Sequence, residues 1–158
     1  MIVLKKNRKG FTFIELVITL ALLGLLLAIA LPCLPALSNY RLEGAARKMA
    51  ADLRLIKNEA ISSGKACQIK FFVYDQSYYL YLADRNQIVR LPEGISFIGD
   101  TNFNKDSLNR PYVLFNVLGR PNMGGTVILG SRDGGRRYII LTPVTGRVRV
   151  SREQPKNW

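Results

Sequence analysis

The chain of 158 residues has no histidine, two cysteines and one tryptophan, and 11 acidic residues stand against 23 basic ones. Each shortage excludes something. Without histidine there is no imidazole for a metal site and no Ser–His or Cys–His nucleophile pair. Cys33 and Cys67 flank a stretch that reads as helix. At about 1.5 Å per residue, that helix would hold their Cα atoms tens of ångströms apart, too far for an intrachain disulfide. They read as small apolar fillers. No Gly-rich loop runs into Lys-Ser or Lys-Thr to cradle a phosphate, and the carboxylates do not cluster. An enzyme is not expected, nor a metal or cofactor. The deficit of acid leaves a formal charge of +12, which suits an anionic partner such as nucleic acid or lipid headgroups.

Acidic residues are scarcest where apolar ones are densest. Lys5, Lys6, Arg8 and Lys9 precede Gly10, and from Phe11 to Leu37 only Glu15 is charged. A run of that length is enough to cross a bilayer. Its basic flank marks the cytoplasmic side, which sends the C-terminal bulk outward from the cell (inner) membrane. A carboxylate at membrane depth is costly and by default marks function. A secretory leader ending at Ala28-Ile29-Ala30 leaves Glu15 without a use. A lipoprotein signal at Cys33 meets Pro32 where a small residue is required, and a plain single-pass anchor explains neither Gly10 nor Glu15. The octapeptide Lys9-Gly10-Phe11-Thr12-Phe13-Ile14-Glu15-Leu16 resembles the class III signal of type IV prepilins and pseudopilins. That resemblance implies cleavage after Gly10 by prepilin peptidase and methylation of the new N-terminal Phe11. It also implies that Glu15 neutralises the Phe11 amine, of its own chain or of a neighbouring subunit. A carboxylate paired with some other membrane protein stays open as the alternative. Loss of residues 1–10 removes four basic groups and no acidic one, so the charge falls from +12 to +8.

The rest of the chain divides by its periodicity. Leu42, Ala46, Met49, Leu53, Ile56 and Ala60 follow steps of four and three, a narrow apolar stripe on one helical face. Glu43 stands four residues before Arg47 as a surface pair, and Ser62-Ser63-Gly64 provides the stop. Pro32 and Pro35 bend the helix, or end it at Pro32. Beyond Ala66, strand-like runs appear at 66–74, 77–82, 87–91, 95–98, 112–117, 126–129, 137–142 and 147–150, separated by Gly and Pro turns. Residues 100–110 read as a surface loop. The expected organisation is a leader at 1–10, a membrane and assembly helix at 11–37, its amphipathic continuation at 38–64, and a β-rich domain at 65–158. The fold class is α+β, a long N-terminal helix packed on a small antiparallel β domain.

That organisation resembles the pilin fold. Leu91-Pro92-Glu93-Gly94-Ile95, Phe115 with Gly119, Gly125–Leu129, Arg137–Leu141 and Gly146–Arg149 resemble, in order, the GspH/FimT group of minor pilins and pseudopilins. Many major pilins carry a C-terminal disulfide loop; this chain has no cysteine after Cys67, which favours a minor component. Its partners would be prepilin peptidase, other pilins or pseudopilins, the membrane and, for one branch of the group, DNA. From Arg110 onward the net charge is +7, carried almost entirely by arginine, whose planar fork suits phosphate. In Arg147-Val148-Arg149-Val150 strand alternation puts both arginines on one face, roughly 6.6–6.8 Å apart, and both valines on the other. A Gly-Arg-x-Arg motif of this kind is associated in FimT-type minor pilins with capturing DNA for transformation. Arg132, Arg136, Arg137 and Arg152 are candidates to extend the patch. A solvated strand face, or a pseudopilin surface in a type II secretion system that meets another protein, is the competing reading.

Overall fold

The computed structural model describes residues 11–30, 33–99 and 101–155. The leader, Gly10 included, lies outside the described residues. The chain divides into two units, residues 1–36 and 37–158.

Within the first unit, helix α1 spans Phe13–Ala30. Every side chain from Phe11 to Ala28 is exposed, so the helix is apolar all round and offers that surface to something other than water. Its 18 residues span about 27 Å at 1.5 Å per residue. Among the described residues no helix is long and apolar enough to cross a membrane. The run expected to span, 11–37, also takes in Leu31 and Pro32, which lie outside the described residues, and with them the expected bend at Pro32. Helix α2 spans Cys33–Ser63 and therefore contains Pro35 in its first turn, where a missing N–H leaves no hydrogen bond broken.

The second unit is built around α2. Leu42, Ala46, Met49, Leu53, Ile56 and Ala60 are all fully buried, and Ala45 and Ala50 widen their stripe. They meet two four-stranded antiparallel sheets. In the first, β1 (Cys67–Phe72), β2 (Ser77–Tyr81), β3 (Asn86–Arg90) and β5 (Tyr112–Phe115) are ordered β3-β2-β1-β5; in the second, β4 (Ile95–Phe97), β6 (Gly125–Ser131), β7 (Arg136–Leu141) and β8 (Val148–Ser151) are ordered β4-β6-β7-β8. All eight lie within a residue or two of the expected runs. One face of each sheet joins the core under α2. The first contributes Ile69, Phe71, Tyr78, Leu80 and Val113, the second Val127, Leu129, Ile139, Leu141 and Val148.

Residues 101–110 carry no named strand and are largely exposed, as expected of a surface loop, but one aromatic side chain turns inward. Phe103 is buried and stacks on Phe71, ring centroids 5.7 Å apart and planes within 9°. Burial of that ring anchors the loop to the core while its polar neighbours stay in solvent. A buried polar contact also joins helix to sheet. Tyr78 donates its hydroxyl to Asp52 Oδ2 at 2.6 Å, and burial with that carboxylate holds its pKa well above the ordinary phenol range.

Candidate assembly motif and nucleic-acid interface

At the N-terminus, Thr12 caps α1. Its Oγ1 accepts from the Glu15 amide at 3.3 Å. Glu15 Oε2 in turn accepts from the Thr12 amide at 3.3 Å and the Thr12 hydroxyl at 3.2 Å. This reciprocal capping box satisfies two backbone donors that the first helical turn leaves open, and it places a carboxylate at the positive end of the helix dipole. The Thr-x-x-Glu spacing carries that signal in the sequence. In this chain the Phe11 nitrogen is a peptide amide, and Glu15 is held by Thr12. The Phe11 side chain is 86% exposed.

The six candidate arginines do not form one patch. Arg137 is a correction: it is 8% exposed, and its Nε donates to Glu43 Oε2 at 2.7 Å. Alternation along β7 points it inward with Ile139 and Leu141, so its guanidinium is committed to α2. Arg137, then Arg47, holds the Glu43 carboxyl below its ordinary range. The other five are exposed but stand at different ends of the second sheet. Arg149 pairs with Ile140 and Val148 with Leu141, which places Arg147 at the end where β7 finishes. Arg132 and Arg136 lie at the other end, where β7 begins, and Arg152 follows Ser151, which pairs with Tyr138. Arg136 and Arg149 share the outward face but are offset by four residues along the strand, about 13 Å at 3.3 Å per residue.

The structure adds a residue to the Arg147 end that sequence spacing does not reveal. Gly119 (φ 70°) and Gly146 (φ 61°) both adopt the left-handed conformation, in which glycine is unstrained. Their turns touch: a Cβ built on Gly146 would lie 3.0 Å from the Gly119 carbonyl oxygen. Arg120, exposed, is thereby carried beside the turn that leads into Arg147. Lys57 of α2 reaches the same place, its Nζ donating to the Thr145 carbonyl at 2.8 Å. Cations from three separate segments thus converge at this end. The contact between two distant turns has no local sequence signature.

The comparisons with known proteins bear on both ends of the chain. Residues 5–31 match the prokaryotic N-terminal methylation motif. Residues 45–146 match the type II transport protein GspH family model. The chain belongs to the GspH family. Among the relatives of this family member is the pilin-like protein PilA1 of Thermus thermophilus, 30% identical over 91% of this chain and 99% of that protein. The competence protein ComGD of Bacillus subtilis is 29% identical over 94% of this chain and 95% of its own. The fold matches the minor pseudopilin EpsH of the Vibrio cholerae type 2 secretion system at a TM-score of 0.54 and 17% identity, covering 70% of this chain and 96% of EpsH. It also matches the Pseudomonas aeruginosa type IV minor pilin FimU at a TM-score of 0.52 and 18% identity, covering 72% of this chain and 90% of FimU. The GspH-family chain is thus a minor pilin or pseudopilin, structural rather than enzymatic. Membership implies assembly with other pilins, processing at the methylation motif and a membrane-anchored pilus or pseudopilus.

Proposed function

We propose that the protein is a minor pilin of a type IV pilus whose basic C-terminal face binds DNA for natural transformation. Prepilin peptidase cuts between Gly10 and Phe11, and the mature chain waits in the inner membrane as a single-pass protein with residues 38–158 outside the cytoplasm. Once the Phe11 amine is free, Glu15 can exchange its Thr12 partner for an ammonium ion. A cationic partner of that kind is what a carboxylate in an apolar bundle requires. Intact mass of the membrane-derived protein tests the cut: a mature chain beginning with methylated Phe11 is expected, and one beginning at Leu31 or Cys33 refutes it.

The observation that carries the DNA reading is the exposed pair Arg147 and Arg149, set beside Arg120 by the touching turns. The naming of one relative as a competence protein supports it. Such a face meets phosphates, so binding should be largely independent of base sequence. Arg147→Gln with Arg149→Gln is expected to weaken duplex binding and to flatten the log-salt slope by about two units, because each phosphate a cation neutralises adds about −0.9 to that slope. The control pair Lys65→Gln with Arg85→Gln should change much less. If both pairs behave alike, or if the protein does not retain duplex DNA at moderate salt, the pseudopilin reading replaces this one. The family's type II transport description favours that second reading, in which the basic face meets another protein.

A further inference from the structure

The outward face of the first sheet does not look like a solvated surface. Register puts Ile88, Tyr79, Lys70 and Tyr112 in one row across β3-β2-β1-β5, and Asn86, Tyr81, Gln68 and Leu114 in the next. Phe72 extends the aromatic set, its ring centroid 4.4 Å from that of Tyr79. Tyr79 and Tyr81 are 6.4 Å apart and 23° from parallel. Cations lie over two of these rings: Lys70 Nζ is 5.8 Å from the Tyr81 centroid, and the Arg110 guanidinium is 5.3 Å from that of Phe72. The edges of the face are open, with Ile88 54% and Leu114 37% exposed, and Phe72, Tyr79, Tyr81 and Lys70 between them are half-buried against one another. Where Phe72 meets the loop before β5, it also forms the wall of an open cleft of about 550 Å³, with Tyr74 and Arg110 among the other walls.

Two kinds of partner cover an aromatic sheet face. A protein partner favours aromatic and aliphatic side chains at the centre of its contact and disfavours lysine there. Here Lys70 occupies the centre, between Tyr79 and Tyr112. Single-stranded nucleic acid asks for the opposite arrangement: rings on which unpaired bases stack, interleaved with cations for the phosphates between them. The charge balance agrees. Besides the central Lys70, the cations Arg90, Lys105 and Arg110 border the face and cleft against Asp75 and Asp106, and Asp106 already binds Lys70 at 3.3 Å and Arg110 at 2.8 Å. That carboxylate positions both cations beside the rings. The cleft falls in the size range of small-ligand sites and has room for a flipped-out base against Phe72 and Arg110.

We infer that the outward face of the first sheet binds single-stranded nucleic acid by base stacking on Tyr79, Tyr81 and Phe72. Its phosphates are met by Lys70 and Arg110, on a surface separate from the arginines of the second sheet. Four-stranded sheets with ring-bearing outer faces recognise single strands in this manner in unrelated proteins.

The test uses the full chain in detergent micelles, a fluorescein-labelled 20-mer of thymidylate and a 20-base-pair duplex, both at one fixed low salt concentration. Tyr79→Leu with Tyr81→Leu keeps apolar side chains on the strand and removes the rings. It should weaken single-strand binding roughly tenfold or more, since each stacked base contributes a factor of about 5 to 150, and leave duplex binding within about twofold. Arg147→Gln with Arg149→Gln should do the reverse, so failure of the duplex site and failure of this one are told apart. Quenching of a 2-aminopurine placed in the single strand should disappear with the tyrosines. Should the double variant not fold, Phe72→Leu alone is measured the same way. Unchanged single-strand binding in the ring-free variants overturns the inference. So does wild-type protein that ignores the single strand, or that uses this face to associate with a protein subunit.

Discussion

The two sheets of the C-terminal unit share one interior and differ in what they show to solvent. Under α2 they are interchangeable in kind, alternate aliphatic and aromatic side chains buried to completion. Outside, the first carries aromatic rings, two of them with a cation laid against them, whereas the second carries arginines around Tyr138 and Ile140, which are themselves buried. The inner faces are constrained by close packing, where one methylene is felt. The outer faces are free to diverge. One packed core thus carries two outer faces of different chemistry.

The strongest way to break the comparison is to attack what the sheets have in common. Phe71 belongs to β1 but meets Phe97 of β4 edge-on at 6.2 Å, besides Tyr78 and Phe103. Phe71→Ala should cost about 3–5 kcal/mol, in the range of large-to-small core substitutions. Because the ring is shared, both sheets should unfold in one denaturation transition, followed by tyrosine fluorescence and circular dichroism. Two separate transitions would show that the sheets are less unified than their packing indicates.

A smaller effect sharpens the contrast within the second sheet. Arg136 and Arg137 are adjacent in sequence and opposite in role. Arg137→Gln leaves Glu43 without its inward partner and should cost about 1–2 kcal/mol, less than the 3–5 of a fully buried pair because the Glu43 side chain is 26% exposed. Arg136→Gln, on the surface, should stay within about 0.5 kcal/mol. Acid separates them further. The folded-state pKa of Glu43 lies below its unfolded value, so its contribution is complete above about pH 5 and lost as pH falls through the folded value. Asp106 of the first sheet's loop, lowered mainly by Arg110, acts in the same direction. Melting temperature between pH 7 and pH 3 should therefore fall less steeply in Glu43→Gln than in the wild type, with Asp106 still supplying the remaining slope.

The helical stripe and strands such as β1 and β4 are legible in the sequence because each has one buried face, and period 2 or 3.6 reports that directly. Arg137 is harder to read. β7 is buried on both faces from Arg137 to Leu141, so apolar alternation vanishes and an arginine at its start resembles a surface residue. Phe103 and Arg120 are positioned by contacts between segments distant in sequence, which no local pattern encodes. Thr12 and Glu15 carry a plain local signal, the capping spacing. Surrounding hydrophobicity makes membrane chemistry the first reading of that carboxylate. The aromatic rows of the first sheet are visible only once register aligns Tyr79 with Lys70 and Lys70 with Tyr112.

The stripe on α2 repeats after seven residues, with Leu42, Met49 and Ile56 in equivalent places. Sliding the helix by two turns, about 10 Å, would put Met49, Leu53, Ile56 and Ala60 in the places of Leu42, Ala46, Met49 and Leu53. That part of the stripe would so keep its apolar fit. The stripe fixes rotation about the axis but only weakly fixes position along it. Polar contacts supply the missing coordinate: Glu43 to Arg137, Arg54 to the Val148 carbonyl, and Lys57 to the Thr145 carbonyl. After such a slide Ala50 would face Arg137, and Ile61 and Gly64 would stand where those two donors had been. Tyr78 alone would still meet a carboxylate, Glu59 in place of Asp52. These charged side chains act as detents, which hold the helix at its own setting against the sheets.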